Sequence, residues 1–214
     1  SNGTFTSYVV ASANTAVGIQ TFDGGGTTLS IDNVSVKELT TATNTPRLDY
    51  STGAEAFLLE PQSTNLVQYS EDFGQSYWRK LGNPTITDNQ VESPNGDLTA
   101  DLFEATENSS RIDLNNVLLS AITYTASIYV KSSGSGSNSF KFYAFGGTQN
   151  IFSATNEWVK YSFTVTPSYT TALVFEALNT NTSVYIWGAQ LEQNSFATSY
   201  IPTSGASATR NQEL

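Results

Sequence analysis

The segment TYTASIYVKS, Thr123–Ser132, alternates apolar and polar residues one by one, and this period of two governs most of the chain. In an extended strand, successive side chains point to opposite faces. Tyr124, Ala126, Ile128 and Val130 therefore share one face, which reads as core. SFKFYAFGG follows a Ser/Gly-rich turn. It sets Phe140, Phe142 and Ala144 on one side against Lys141, Tyr143 and Phe145 on the other. EWVKYSFTVTP alternates Val159, Tyr161, Phe163 and Val165 and stops at Pro167. TALVFEAL and SVYIWGAQLE flank the turn NTNT, and DLTADLFEAT and SSRIDLNNV read as earlier strands. Asn65–Glu192 thus holds about eight strands spaced roughly 8–15 residues apart, which predicts an all-β, antiparallel β-sandwich. One short segment, Asn116–Ile122 (NVLLSAI), reads as a single helical turn.

Composition supports strands over helices. Charged residues are only 13% of the chain, and polarity comes from Ser, Thr, Asn and Gln. The net charge of −10 has the wrong sign for releasing counterions from phosphate, so nucleic acid is excluded as a partner. Acidic carbohydrates stay open as partners, though nothing broadly basic invites them. Cysteine and histidine are absent, which removes disulfides, thiol chemistry and every histidine-dependent catalytic arrangement. Methionine is absent too, so Ser1 is read as a boundary made by cloning or cleavage. No apolar run reaches the ~20 residues of a membrane span, and no signal-peptide pattern opens the chain.

A repeat organises the chain. Tyr8–Leu39 and Phe163–Gln193 both read strand, polar turn, strand, turn, strand. Leu29, Ile31, Val34 and Val36 match Val184, Ile186, Ala189 and Leu191 at a constant offset. Residues 1–39 are therefore expected to be the last three strands of an incomplete upstream sandwich. Their exposed edges would need cover from the second domain, another copy or a missing upstream part. Residues 40–57 form a connector punctuated by Pro46 and Gly53, and residues 58–214 form the main domain.

NLVQYSEDF with Trp78 resembles the opening strand of jelly-roll carbohydrate-binding modules, and LSIDNVSVKEL resembles their closing strand. The longer string LLEPQSTNLVQYSEDF, with YIWGAQLEQNSFATSYIPTSGASATR, looks like a domain of bacteriophage tail, fibre or virion-surface proteins. The resemblance covers about residues 46–210. It implies a jelly roll with a sugar-binding or host-recognition role and no catalysis. It also implies a structural calcium ion held between closing and opening strands. Asp32 matches the closing-strand ligand upstream, whereas Trp187 occupies that position in the main domain. Glu71 and Asp72 are the opening-strand carboxylates.

Sugars stack their C–H faces on flat rings beside hydrogen-bonding side chains. Lys141, Tyr143 and Phe145 share one face, and Tyr129 is expected to share it from the preceding strand. Arg111, Glu176 and Gln190 could supply polar partners. Trp187 alternates with Ile186, so it is expected to face outward and to be the tryptophan most available to a ligand. Trp78 and Trp158 read as core. The competing reading packs all these rings between sheets or into a subunit interface. Glu71 and Asp72 could serve as a glycosidase pair only if the chain turns there, and Glu104 and Glu107 read as solvated. DGGGTT lies between strands and reads as a turn.

The reading expected from sequence is a non-catalytic glycan-recognition or adhesion module at an extracellular or virion surface. Its partners would be a host-cell glycan and either its own copies, as a trimer, or other virion proteins, with no membrane insertion. An architectural decoration or connector domain is the first alternative, and a fragment of a polysaccharide-degrading enzyme is the second.

Overall fold

The structure is a computed structural model that describes residues 47–49 and 56–213, with side chains from Leu59 onward. All of these belong to one compact unit, Ala42–Leu214. The expectation for residues 1–39 lies outside the described residues, and Asp32 with it. Part of the expected connector is strand: β1 (Arg47–Asp49) pairs antiparallel with β2 (Ala56–Leu58).

A third short strand, β3 (Ser63–Asn65), leads into ten strands that make a two-sheet sandwich of the jelly-roll type. The ten are β4 (Arg79–Leu81), β5 (Thr85–Val91), β6 (Ala100–Glu104), β7 (Arg111–Leu118), β8 (Tyr124–Ser132), β9 (Ser139–Ala144), β10 (Asn150–Ser153), β11 (Val159–Val165), β12 (Thr171–Ala177) and β13 (Ser183–Glu192). One sheet runs β10-β9-β12-β7-β4 and the other β11-β8-β13-β6-β5. Strands joined in sequence mostly lie in different sheets. Only the β5–β6 and β9–β10 pairs stay within one. All these ladders are antiparallel. Among the described residues, no helix is long and apolar enough to cross a membrane.

The alternation builds the core as expected. Ile128, Val130, Phe140, Phe142, Leu173, Phe175, Val184 and Ile186 are all buried between the sheets. Phe175 stacks on Phe140 at 5.0 Å and meets Phe103 edge-on at 5.2 Å. Phe163 meets Phe142 edge-on at 5.0 Å. Along β13 the inward residues change parity, from Val184 and Ile186 to Ala189 and Leu191. A bulge between Trp187 and Gln190 absorbs the extra residue. Gly188 sits there at φ +64°, where a Cβ would come within 3.2 Å of the Tyr129 ring.

The expected helical turn at Asn116–Ile122 is strand and turn instead. Leu118 is buried, and Asn116 adopts a left-handed conformation (φ 57°) beside a register shift against β12. The local apolar run therefore belongs to a bulged strand end.

The outer face of the second sheet is covered by the chain's own C-terminal segment. β14 (Ala208–Arg210) pairs with β3. Residues 193–203 run across β13, β8 and β11. Buried Asn65 uses its whole amide. Its Nδ2 donates to the Ala189 and Ile201 carbonyls at 3.1 and 2.9 Å. Its Oδ1 accepts from the Val67 and Leu191 N–H groups, both at 3.1 Å. Buried Glu192 accepts from Ser63 Oγ at 2.6 Å and from both the backbone N–H and the hydroxyl of Thr198. Lys160 Nζ donates to the Thr198 carbonyl at 2.5 Å, and burial lowers its pKa against the pull of Glu192 and Glu60.

Glu192 is therefore the tether of the covering segment. Glu192→Ala strands buried donors and should cost about 3 kcal/mol. Urea unfolding measures that loss, and limited proteolysis should newly cut within residues 193–203. An unchanged midpoint and an intact segment would contradict this.

Candidate functional site

The C-terminal segment lies on one sheet, and the outer face of the other is lined differently. On the sheet β10-β9-β12-β7-β4, register places Ile151, Lys141, Glu176, Arg111 and Leu81 in one row across all five strands. The next row holds Tyr143, Val174, Asp113 and Arg79. Residues directly opposite in a ladder point the same way. All nine side chains therefore belong to the face turned away from the core.

The floor of this face is a pair of buried carboxylates, each held by cationic side chains. Arg79 grips Asp113 in a fork, Nε to Oδ1 at 2.7 Å and Nη2 to Oδ2 at 2.9 Å. Arg111 Nε reaches Asp113 Oδ2 at 3.4 Å. Lys141 Nζ donates to Glu176 Oε1 at 2.7 Å, and the Tyr143 hydroxyl donates to Oε2 at 2.5 Å. Burial works to raise the Glu176 pKa, but the Lys141 and Tyr143 contacts outweigh it and hold the carboxyl below its ordinary value. Tyr143 is pushed far up, first by burial and then by the adjoining Glu176 carboxylate. Its ring packs with Ala172 and Val174.

Aromatic surface lies at one end. Phe145 is 48% exposed and Tyr169 52% exposed. The Tyr169 hydroxyl donates to the Phe145 carbonyl at 3.3 Å. Gly146, at φ +78°, lies directly beneath that hydroxyl, so any Cβ there would displace Tyr169. The Arg111 guanidinium lies over the Phe145 ring at 5.6 Å.

Of the expected sugar contacts, Lys141, Tyr143, Phe145, Arg111 and Glu176 come together on this one face. Within that group Tyr143 is buried at 2% exposure and serves as a hydrogen-bond donor to Glu176 rather than as an open platform. Tyr129, Trp187 and Gln190 do not join them. Their strands, β8 and β13, form the other sheet. Trp187 does face outward, but the covering segment seals it at 2% exposure against Tyr200, 4.3 Å away, and Tyr129, 5.5 Å away. Its Nε1 donates to Thr99. Gln190 is fully buried and clamps the same segment through the Ser199 carbonyl and the Ile201 N–H. Trp78 is core, as expected. Trp158 is only half-buried and donates to the Glu92 carbonyl. Arg79, Asp113 and Tyr169 are functional candidates that the sequence pattern alone does not single out. Asp113 is the most legible of the three, because it alternates with Ile112 and Leu114 beside Arg111.

The expected opening strand is irregular after Asn65, and the chain bends at Ser70 and Glu71. Glu71 and Asp72 therefore both line one shallow groove of about 280 Å³ with Tyr69, Pro202, Thr203 and Ser204. Glu71 accepts from the Tyr200 hydroxyl at 2.7 Å. Asp72 instead converges with Asp88 and Asp101, carboxylate oxygens all within 4.8 Å of one another. Asp101 accepts backbone N–H bonds from Phe73 and Asn89, both at 2.9 Å. Burial, reinforced by Asp88 and Asp72, pushes its pKa up to about 6 against those two bonds. A hard-oxygen donor set of this kind fits calcium chemistry. Asp72 joins this cluster with acids of β5 and β6, and Glu71 is held by Tyr200 instead.

No family model matches the chain, and no curated protein sequence matches it. Several solved structures do. One holds the CBM22-1 and GH10 modules of Clostridium thermocellum endo-1,4-β-D-xylanase 10B, complexed with xylohexaose. It is 15% identical over 66% of this chain, with a TM-score of 0.45, and the match takes in 30% of that chain. The CBM22-1 xylan-binding domain of Paenibacillus barcinonensis Xyn10C is 16% identical over 66% of this chain and 97% of its own, TM-score 0.44. The enzymatically active domain of tailspike protein 4 from bacteriophage CBA120 is 14% identical over 59% of this chain and 21% of its own, TM-score 0.42.

The lowered Glu176 pKa has a definite sign. Its stabilisation is present above the ordinary carboxylate pKa and is lost as pH falls through the lower, folded value. Glu176→Gln should cost about 2 kcal/mol at neutral pH. The difference from the parent should shrink once pH drops below about 4.3. Denaturant melts across pH measure it, and a penalty independent of pH would contradict the ion pairing.

Proposed function

We propose that the chain is a non-catalytic glycan-recognition module that binds saccharide on the outer face of the β10-β9-β12-β7-β4 sheet. One observation carries the reading. At one end of this face stands the exposed ring of Phe145, with exposed Tyr169 against its backbone carbonyl, beside polar side chains already fixed by ion pairs. Fixed donors lose little freedom on binding, and an exposed ring can receive a sugar's C–H face. The other sheet's outer face is filled by residues 193–203.

The setting belongs to the same proposal. The end motifs resemble phage tail, fibre and virion-surface domains, so the module is assigned to an extracellular or virion surface, where it acts as an oligomer such as a trimer. A structural calcium ion is proposed at Asp72, Asp88 and Asp101, where three carboxylates need a counter-charge. An architectural role is favoured by the same exposed apolar surface, which also includes Ile151 at 59% exposure. In that case Phe145 and Ile151 would meet another subunit.

Glycan-array screening followed by calorimetry tests the reading. Phe145→Ala and Tyr169→Ala should each weaken the selected saccharide about tenfold, the equivalent of about 1.4 kcal/mol. Tryptophan emission should barely change on binding, since Trp187 is sealed under Tyr200. Concentration-dependent assembly abolished by Phe145→Ala, with no saccharide bound, would favour the architectural role. For the ion, calcium at about a hundred times its Kd should add about 2.7 kcal/mol of stability over chelator. Asp88→Asn should remove most of that gain. Equal melting with calcium and chelator would refute the site.

A further inference from the structure

The glycan reading can be narrowed to a class of sugar, and the narrower inference rests on that reading. With a net charge of −10, the chain as a whole repels anions. The open face departs from that average. It carries three of the nine Lys and Arg residues, Arg79, Arg111 and Lys141, against two carboxylates, Asp113 and Glu176, a local balance of 3 − 2 = +1.

Depth separates the signs further. The acid side chains are 1% and 4% exposed, whereas those of Arg79, Arg111 and Lys141 are 48%, 24% and 15% exposed. The carboxylates form the floor and the cations form the rim. Both oxygens of Asp113 are held by Arg79, and both of Glu176 by Lys141 and Tyr143. The acids are thus turned away from an incoming ligand.

Arg111 is placed differently from its neighbours. Its only ion-pair contact among the described residues is the long one from Nε to Asp113 at 3.4 Å. Among the same residues, no acceptor meets its Nη atoms. Its position is nevertheless set, by Asp113 at Nε and by the Phe145 ring 5.6 Å from its Cζ. A guanidinium held by Nε and an aromatic face, with its terminal fork free, matches a carboxylate in two parallel hydrogen bonds. The half-exposed Phe145 lies alongside to take the apolar face of the sugar ring that bears the carboxylate.

We infer that Arg111 and Phe145 form a subsite for an acidic sugar, a uronate or sialate residue within the bound saccharide. The carboxylate meets the Arg111 fork, and the pyranose ring meets Phe145.

The test is calorimetry with a panel of uronate and sialate oligosaccharides, a carboxyl-reduced counterpart of the tightest binder, dextran sulfate and xylohexaose. One acidic oligosaccharide should bind, and its carboxyl-reduced form should bind roughly 10- to 100-fold more weakly, the worth of a charge-assisted hydrogen bond. Arg111→Gln should lose the same factor for the acidic ligand and nothing for the reduced one. Arg111→Lys, which keeps the charge but not the fork, should fall between. Near-ultraviolet circular dichroism of both variants checks that the face is intact. Equal binding of the acidic and reduced forms would overturn the inference. So would dextran sulfate binding as tightly as the carboxylate sugar, because that marks a generic cationic patch. If xylohexaose binds, depends on Phe145 and ignores Arg111→Gln, the acidic subsite fails while the glycan module stands. If no saccharide binds at all, both fail.

Discussion

The fastening of the C-terminal segment across one sheet decides which surface of the sandwich is sealed. A β-sandwich has two outer faces, and each must be wet or covered. Here Asn65, Gln190 and Glu192, all fully buried, spend nearly every polar atom on residues 189–203 and the adjoining strand. Buried amides and carboxylates are tolerated only when they are satisfied. Each of these three is satisfied by backbone or hydroxyl groups of the covering segment or its neighbouring strands, so the segment and its anchors stand or fall together. The cover allows Trp187, Tyr129 and Tyr200 to pack as a second apolar layer outside the sandwich core.

The opposite face is built by another rule. Its centre is also dry, but the groups that dry it are ion pairs rather than a strap. Asp113 and Glu176 sit on central strands, β7 and β12, and each is crossed by cationic side chains from neighbouring strands. Such pairs add little net stability, because desolvation offsets much of the attraction. What they supply is fixed geometry. Rigid side chains with defined donors, beside exposed rings at one end, are the features on which the proposed saccharide site rests.

Most of the fold is legible in the sequence because alternation is a direct consequence of strand geometry. Ile128, Phe142, Phe163 and Phe175 point inward as the period of two dictates. The structure adds a switch of parity within β13, from Val184 and Ile186 to Ala189 and Leu191, made by the bulge at Gly188. Three things are not legible. Which sheet a strand joins is a long-range property, so local pattern groups Tyr129 with Tyr143 although β8 and β9 lie in different sheets. Whether an outward residue is exposed depends on what later crosses it, so Trp187 points outward as expected and is still sealed. Convergence of acids from separate loops is invisible in a linear pattern. Asp72 meets Asp88 and Asp101 rather than its neighbour Glu71.

A single consequence ties these features together: one outer face is sealed by the chain's own residues 193–203, and the proposed ligand surface is the other. Backbone amide NMR of the labelled protein, titrated with the best saccharide from an array, reads both faces at once. Shift changes should concentrate on Arg111, Lys141, Phe145, Gly146 and Tyr169, with the amides of Tyr129, Trp187 and residues 193–203 unmoved. Perturbations centred on Trp187 and Tyr200, or on the groove at Glu71 and Asp72, would contradict that assignment.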